Sequence, residues 1–394
     1  MLKFLNFFSS KPKGKLIRGS RSYTCRCGSP IFFQNSRCLR CNSELGYEPG
    51  MTEVFPIEQV GSGKEWRIAK ENQDANIAYW RCANFDTPAV CNWLVSDTGN
   101  LDEGLCIACR LNRTIPDLSV PENGELWGVI EFAKRRLVSS LLAWEMPVVS
   151  REEDPERGLA FDFLRSPEGG PAVMTGHDNG LITLNIEEAR SSTREKIREQ
   201  MGEPYRTILG HLRHEVGHYY WDRLIQDSDW IEDFRRLFGD ERADYSESLK
   251  RNYEQGPPPD WPDRFISSYA SCHPWEDWAE TWAHMLHITD TLTTAMSFGL
   301  DPRELDLEVR PFPNDVLFRP TGPDAERFLS FINGWTALTA VMNELSRSMG
   351  EREFYPFAMP GPTVTKLSFI YTVVRTERER SQKRAEASSQ PALR

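Results

Sequence analysis

Eight of the nine cysteines in this 394-residue chain fall into two groups of four. The first group is Cys25, Cys27, Cys38 and Cys41, and the second is Cys82, Cys91, Cys106 and Cys109. Closely spaced cysteines in a protein without an export signal are typical of thiolate metal ligands rather than disulfides. Four thiolates form a tetrahedral site that holds zinc well, and small loop-rich modules need such an ion to fold. The sequence therefore predicts two structural zinc sites.

The spacing within the two groups differs in what it indicates. Each group ends in a C-x2-C pair, which is the strongest part of the signal. The Cys25-x-Cys27 pair and the wide Cys82/Cys91 spacing are less regular. Assignment of cysteines to ions follows chain order alone, so an interleaved pairing stays open at this point. Residues 23–112 show many turns and little helical periodicity, and we expect a double zinc-ribbon region there.

The rest of the chain mixes helical and strand patterns. Helical periodicity begins after Pro121, and alternating runs predict strands around Phe161 and over residues 181–186. Further helices are predicted downstream, so we expect an α+β fold with a small sheet and a mostly helical body. The expected divisions are a disordered basic tail at 1–22, the ribbon region at 23–112, a main domain at 113–376 and a charged tail at 377–394.

A second metal-binding pattern lies in His214-Glu215-Val216-Gly217-His218, within a helical stretch. Two histidines four residues apart on a helix lie on one face, so both rings can reach one metal ion. Glu215 follows the first histidine directly and can take a proton from a metal-bound water. A chance match on a buried helix would show the same apolar face, so this stretch alone leaves both interpretations open.

A catalytic zinc takes three protein ligands and keeps one open position. A third histidine six residues further on is absent, because Leu224 occupies that place. Glu276 and Glu280 lie four apart on a predicted helix and therefore share a face. Two carboxylates on a tryptophan-rich helix need a positive partner, which zinc and a metal-bound histidine would supply. We assign Glu276 as the third ligand and Glu280 as the acceptor for a histidine N–H.

Other residues near these motifs have less certain roles on sequence grounds. Tyr269 precedes Glu276 by seven residues, and its hydroxyl could stabilise an oxyanion, although a packed core tyrosine is nearly as good an interpretation. Asp244 is a weaker rival for the third ligand. The strand at 181–186 could bind substrate backbone by edge pairing, or be an ordinary sheet strand. We expect structural roles for the remaining polar candidates: His177, His211, His273, His284, His287 and Cys272.

The sequence also resembles a known family. The resemblance is carried by Arg206-Thr-Ile-Leu-Gly-His-Leu-Arg-His-Glu-Val-Gly-His-Tyr-Tyr-Trp-Asp-Arg-Leu and by His273-Pro-Trp-Glu-Asp-Trp-Ala-Glu-Thr-Trp-Ala-His. Both stretches are similar to those of bacterial zinc-binding metallopeptidases with an N-terminal zinc ribbon, over about residues 23–375, and to the gluzincin plan more broadly.

This resemblance implies zinc on His214, His218 and Glu276, with Glu215 as the general base. The Tyr-x6-Glu-x3-Glu arrangement is similar to that of the anthrax lethal-factor protease, which supports the role of Tyr269. Cys25-x-Cys27 departs from the two-residue knuckle that is usual for such ribbons.

The expected activity is peptide hydrolysis. Zinc lowers the pKa of its water, Glu215 takes the proton as that water attacks the carbonyl, and Tyr269 shares the developing charge. The alternative is a non-catalytic binding protein, whose ribbons hold a protein or nucleic acid and whose third metal is structural. A third hypothesis combines both roles, with ribbons that recruit substrate to the peptidase.

The composition limits which classes of partner we expect. The net charge of −11 argues against nucleic acid as the main partner, so we expect a peptide or protein substrate and a protein partner at the ribbons. No apolar run approaches the roughly 18 residues of a membrane span. The start of the chain is too short for a secretory signal core. We therefore expect a cytoplasmic protein without membrane contact.

Overall fold

The structure is a computed structural model that describes residues 20–69, 77–96, 104–167, 169–201, 205–307 and 309–389. A β-rich N-terminal region precedes a small second sheet and a mostly helical body, which confirms the expected α+β fold. Of the disordered tail expected at 1–22, residues 1–19 lie outside the described ranges. At residues 20–22 the expected disorder is contradicted by Arg21. Its buried guanidinium donates to Ser139 Oγ (2.7 Å) and pairs with Asp290.

The N-terminal region consists of short antiparallel strands, because turn residues interrupt the chain every few positions. A two-stranded sheet joins β1 to β2, and a five-stranded sheet has the order β3-β4-β5-β6-β7. The strands are β1 Tyr23–Thr24, β2 Pro30–Ile31, β3 Leu45–Glu48, β4 Glu53–Gln59, β5 Trp66–Ile68, β6 Tyr79–Arg81 and β7 Leu94–Ser96.

The small sheet that follows the N-terminal region has four strands in the order β10-β11-β9-β8 and lies against the helical body. Its hairpin turns at Asn179 and Gly180, which both have positive φ, as a tight turn between right-twisted strands requires. A side chain at Gly180 would also meet the Gly158 carbonyl oxygen at 2.5 Å. The strands are β8 Asn112–Thr114, β9 Ala160–Leu164, β10 Gly176–Asp178 and β11 Leu181–Asn185.

This strand order corrects one hypothesis about substrate binding. β11 pairs with β10 on one side and with β9 on the other, so residues 181–185 have no free edge for a substrate. The outer strand on that side is β10, which pairs only with β11 among the described strands. Sequence order placed β11 next to the metal-binding helix, but long-range pairing decided which strand lies at the edge.

Eight α-helices occur within the described ranges, and none has an apolar stretch of the length that a membrane crossing requires. They are α1 Pro121–Ala143, α2 Ser191–Met201, α3 Ile208–Leu224, α4 Ile231–Phe238, α5 Tyr245–Gln255, α6 Pro274–Ser297, α7 Pro323–Ser348 and α8 Gly361–Ser389.

Helix α8 continues well past the point where the sequence indicated a charged tail. We expected that tail from residue 377, but the helix runs to Ser389, and residues 390–394 lie outside the described ranges. Glu, Arg, Lys, Gln and Ala dominate this stretch, and all of them favour helix. Arg378 and Gln382 also reach the Glu145 carboxylate just beyond α1, at 2.5 and 2.9 Å. Propensity and anchoring together explain the extension.

The N-terminal region and the helical body share one hydrophobic core. Tyr47 of β3 packs its ring against Trp93, with 4.5 Å between ring centroids. The Tyr47 hydroxyl also lies 2.8 Å from Ser139 Oγ on α1. The ribbon region therefore packs directly against α1.

Candidate metal centre

Two capped helices carry the residues of the site. Thr207 precedes α3, and its hydroxyl accepts a hydrogen bond from the Gly210 amide (2.9 Å). His273 precedes α6, where its Nδ1 accepts from the Trp275 amide (3.1 Å) and Pro274 occupies the first turn. Such caps satisfy amides that the first turn leaves unpaired. They fix where each helix begins, and hence which residues of α3 and α6 face each other.

The close approach of α3 and α6 depends on Gly217. A Cβ at this position would lie 2.9 Å from Ala279 Cα, closer than real side chains come. The Gly217 carbonyl also accepts a hydrogen bond from Trp278 Nε1 (2.9 Å). Because the backbones meet here, the histidines of α3 and the glutamates of α6 lie opposite one another.

Three buried atoms that can coordinate a metal ion converge between these helices, and they are called the donors of the site. His214 Nε2 lies 3.2 Å from His218 Nε2 and 2.9 Å from Glu276 Oε2, and His218 Nε2 lies 3.5 Å from the same oxygen. Ligands at about 2.0–2.2 Å from a tetrahedral zinc are separated by about 3.3–3.6 Å. The geometry of these three residues therefore suits a single zinc ion.

The chemistry of the donors also fits a cation. Within the described part of the chain, Glu276 Oε2 and His218 Nδ1 are buried and make no hydrogen bond. Burial alone would lower the pKa of His214, but the carboxylates of Glu276 and Glu280 outweigh it and hold that pKa well above its ordinary value. Negative charge thus surrounds the imidazoles, and a metal ion would balance it.

A second layer of hydrogen bonds orients the donors. Glu280 Oε1 accepts from His214 Nδ1 (2.7 Å), which turns Nε2 of that ring toward the other donors. Ser267 donates to Glu280 Oε2 (2.6 Å), and Tyr245 donates to Glu276 Oε1 (2.7 Å). Partners of this kind fix the orientation of metal ligands. Glu280 thus contacts the His214 ring through one oxygen and Ser267 through the other.

The eight clustered cysteines form two separate groups in chain order, which removes the interleaved alternative. All ligand atoms within each group lie within 4.8 Å of one another. Cys25 and Cys41 Sγ are 3.6 Å apart, Cys27 and Cys38 Sγ are 3.7 Å apart, and Cys91 and Cys106 Sγ are 3.7 Å apart. Zinc–sulfur bonds of about 2.3 Å place tetrahedral sulfurs about 3.8 Å apart. Both groups match that spacing.

The two cysteine groups differ in exposure. Cys41 of the first group is exposed, whereas all four cysteines of the second group are buried. Cys109 lies 3.9 Å from the Glu131 carboxylate of α1, which is itself paired with buried Lys134 (2.7 Å). The second group is therefore part of the interface with the helical body.

The sequence matches the family described as "putative zinc-binding metallo-peptidase" over residues 123–373. It also matches a zinc-ribbon domain over residues 22–120. The chain belongs to this zinc-binding metallopeptidase family. Both matches confirm the resemblance to zinc-binding metallopeptidases with an N-terminal zinc ribbon, and zinc is the cofactor, as the three donor groups also indicate.

Three relatives, each named as an uncharacterized protein, come from Mycobacterium bovis and from two strains of Mycobacterium tuberculosis. Each is 42% identical to this chain over 363 residues, which cover 90% of this chain and 95% of the relative. No solved structure matches the chain. The names of these relatives state no activity, so the reaction has to follow from the residues of the site.

Glu215 is buried beside the three donors and is not one of them. Its Oε1 lies 3.3 Å from Nε2 of His211, one helical turn earlier. Burial would raise the pKa of Glu215, but the hydrogen bond from His211 and the charges of the neighbouring histidines lower it. The carboxylate is therefore ionised, as a general base has to be before it accepts a proton.

Tyr269 lies next to the donors, in a 3-10 turn ahead of α6. Its ring centroid is 5.9 Å from that of His214. Burial and the nearby charge of Glu276 raise the pKa of Tyr269 far above its ordinary value, so the hydroxyl keeps its proton at neutral pH. A protonated hydroxyl can donate a hydrogen bond, which is the property that the sequence interpretation required of it.

The alternative prediction, Asp244 as the third ligand, is wrong. Asp244 is exposed and caps α5, where its side chain accepts from the Glu247 amide (2.8 Å). Sequence reasoning also missed Tyr245 and Ser267, which hold Glu276 and Glu280. Tyr245 comes 31 positions before Glu276, and no local spacing connects the two. Only the packing of α5 against α6 brings them together.

Proposed function

We propose that this chain is a zinc-dependent peptidase of the gluzincin type, which hydrolyses peptide bonds with Glu215 as the general base. One observation supports this most: three donors converge on the central site, whereas each cysteine group has four. Structural zinc sites are closed by four protein ligands, and catalytic ones keep an open position beside three. In the described residues, the central site has the catalytic number.

Each residue of the site has a separate task in this proposal. Zinc, when bound, supplies Lewis-acid chemistry and makes a water molecule acidic near neutral pH. His214, His218 and Glu276 hold the ion, while Glu280 and Tyr245 keep His214 and Glu276 oriented. Glu215 removes the proton of the attacking water and then passes it to the leaving amine.

Tyr269 is the proposed donor to the oxygen that becomes negative during attack on the carbonyl. A hydroxyl that is already in position and protonated stabilises such charge without reorganisation. The substrate is proposed to be a peptide or protein. β10 offers the outer edge of the sheet beside α3, so an extended substrate backbone could pair there and not at β11.

The alternative of a binding protein with a structural third metal needs a fourth protein ligand at the central site. A protein partner at the ribbons would meet the first cysteine group, because the second is buried against α1. Net charge still argues against nucleic acid as the main partner. We propose a reducing compartment, the cytoplasm, because eight clustered cysteines stand as free thiols suited to zinc.

Substitution of Glu215 by glutamine tests the proposal most directly. The zinc-loaded wild-type chain and Glu215→Gln are incubated with peptides from a digested cell extract, and new termini are identified by mass spectrometry. We expect Glu215→Gln to keep the same zinc content and to cleave at least about 100-fold more slowly, since general-base catalysis contributes about 10²–10⁴-fold.

Glu232→Gln is a suitable control, because Glu232 is an exposed residue of α4 that pairs with Arg235. It should cleave like the wild type. Zinc-loaded wild type that cleaves no peptide, or Glu215→Gln that cleaves at the wild-type rate, would contradict the proposed function.

A further inference from the structure

A row of three side chains runs from the small sheet to the general base: Glu188 and Glu215 are buried, and His211 between them is half-buried. Glu188 lies in the 3-10 turn that follows β11, and His211 lies on α3. His211 Nδ1 is 3.0 Å from Glu188 Oε2, and His211 Nε2 is 3.3 Å from Glu215 Oε1. Both nitrogens of one imidazole thus face carboxylates from different parts of the fold.

Glu188 itself is firmly held. Its Oε1 accepts a hydrogen bond from the Thr175 hydroxyl (2.5 Å), and its Oε2 lies 3.2 Å from Arg206. With two carboxylates, one guanidinium and a protonated imidazole, the formal charges of the group cancel. A buried charged group of this kind is tolerated when its members pair with each other.

The protonation state of His211 follows from its partners. An ionised carboxylate can only accept hydrogen bonds, so both ring nitrogens have to carry protons if both contacts are hydrogen bonds. Burial alone would lower the pKa of His211, but Glu188 and Glu215 outweigh it and raise that pKa to about 9. The imidazole is therefore charged at neutral pH.

We propose that His211, anchored by Glu188, is a positioning residue for the general base. It holds Oε1 of Glu215 and leaves Oε2 to receive the proton of the attacking water. A glutamate side chain has several rotatable bonds, and correct placement of a reacting group is a large part of catalysis. This inference rests on the proposed peptidase function, and it gives His211 a role that its sequence position did not indicate.

The kinetic test uses two substitutions of the histidine. His211→Phe fills the space without a donor, and His211→Gln retains an N–H. With a peptide that the wild type cleaves, His211→Phe should lower kcat about 10- to 100-fold, the usual effect of losing such a supporting contact. KM and zinc content should stay unchanged, and His211→Gln should recover part of the loss.

Glu188→Gln should lower kcat by a smaller factor, because it removes the anchor and not the contact with Glu215. Glu195→Gln is its matched control, since Glu195 is an exposed glutamate of α2 paired with Arg198. The control should retain the wild-type kcat. Circular dichroism of every variant confirms that each is folded.

A spectroscopic test is independent of turnover. In the zinc-loaded chain labelled with ¹⁵N-histidine, His211 should show two N–H signals at neutral pH, identified by their absence in His211→Gln. Glu188→Gln should shift the Nδ1 signal, and Glu215→Gln should shift the Nε2 signal. Glu195→Gln should shift neither.

The outcomes separate the two proposals. If the wild type cleaves peptides but His211→Phe has the wild-type kcat, or if the two glutamate substitutions leave the His211 signals in place, the positioning role is overturned and the peptidase function stands. If the zinc-loaded wild type cleaves nothing, both proposals fail, whatever the spectra show. Reduced kcat at constant KM together with both spectral shifts supports the inference.

Discussion

Glu276 divides its two oxygens between different partners. Oε1 accepts the hydrogen bond of the Tyr245 hydroxyl (2.7 Å), and Oε2 faces the two histidines. Without the tyrosine, the carboxylate could rotate or present either oxygen. The contact therefore prepares one oxygen for the metal, and it explains why a residue from α5 belongs to a site built by α3 and α6.

Tyr245→Phe removes this contact and little else. We expect zinc affinity at the central site to fall about 10- to 100-fold, since the ligand loses its orienting partner. Competition with a fluorescent zinc chelator measures the change. Tyr79→Phe, in the five-stranded sheet, is the control and should leave the affinity as it is. Equal affinities of Tyr245→Phe and wild type would show that Glu276 is held by other means.

Helices α3 and α6 depend on each other for the site. Each alone carries part of the donor set, and Gly217 allows the backbones to meet at Ala279. The motif H-E-x-x-H allows any residue at its two middle positions. At the second of them, Gly217, the packing against α6 leaves no room for a side chain. A residue with a side chain at this position has to push α6, and with it Glu276, away from the histidines.

Gly217→Ala should accordingly destabilise the protein, although alanine usually favours helix. Overpacking of this kind costs about 1–3 kcal/mol in the free energy of unfolding, and we expect weaker zinc binding as well. Gly334→Ala on α7 is the matched control, because its Cβ would meet only Pro302 at 3.5 Å. There the substitution should stabilise by up to about 1 kcal/mol. Chemical denaturation of both variants measures whether the free energy of unfolding falls or rises.

Asp290 connects elements that are distant in sequence. Its carboxylate pairs with Arg21 ahead of β1 (3.0 Å), Arg136 of α1 (2.8 Å) and Arg213 of α3 (2.8 Å). Asp290 and two of these arginines are buried, and Arg136 is partly exposed. Burial would raise the pKa of Asp290, but the three guanidiniums hold it far below its ordinary value. The N-terminal segment, α1, α3 and α6 are thus joined at one carboxylate.

Asp290→Asn should lower the free energy of unfolding by about 3–5 kcal/mol, because it leaves several buried cations without their partner. Since the folded pKa of Asp290 is depressed, its stabilisation is fully present above the unfolded value of about 3.9 and is lost as pH falls toward the folded one. The difference between variant and wild type should therefore be constant from pH 5 to 8 and shrink below about pH 4.

Urea unfolding at several pH values measures this difference. Asp260→Asn is the control, because Asp260 forms an exposed pair with Arg264 that should contribute less than about 1 kcal/mol. A difference that grows on acidification would contradict the assignment.

The whole molecule should contain three zinc ions, one for each donor group. Inductively coupled plasma mass spectrometry should give two ions per chain for both His214→Ala and Cys109→Ser. Stability should separate these variants. Cys109 belongs to the buried group at α1, so its loss should lower the melting temperature strongly, whereas His214→Ala should unfold nearly like the wild type.

The sequence by itself determined the parts of the site that lie within one helix or one knuckle. His214, Glu215 and His218 share a face of α3 because the helical repeat puts them there, and Glu276 and Glu280 share a face of α6 for the same reason. The cysteine groups likewise follow chain order. Spacing of this kind is local, so helix and turn geometry suffice to read it.

Only the tertiary structure decided which of these faces meet. The contact at Gly217, the hydrogen bond from Tyr245, the outer position of β10 and the link from Glu188 through His211 all join segments far apart in the chain. Such contacts arise from packing and pairing between elements, for which no local repeat exists. That is the physical reason why local spacing pointed to the ligands and to Glu280, whereas it gave no sign of Tyr245, Ser267 or Glu188.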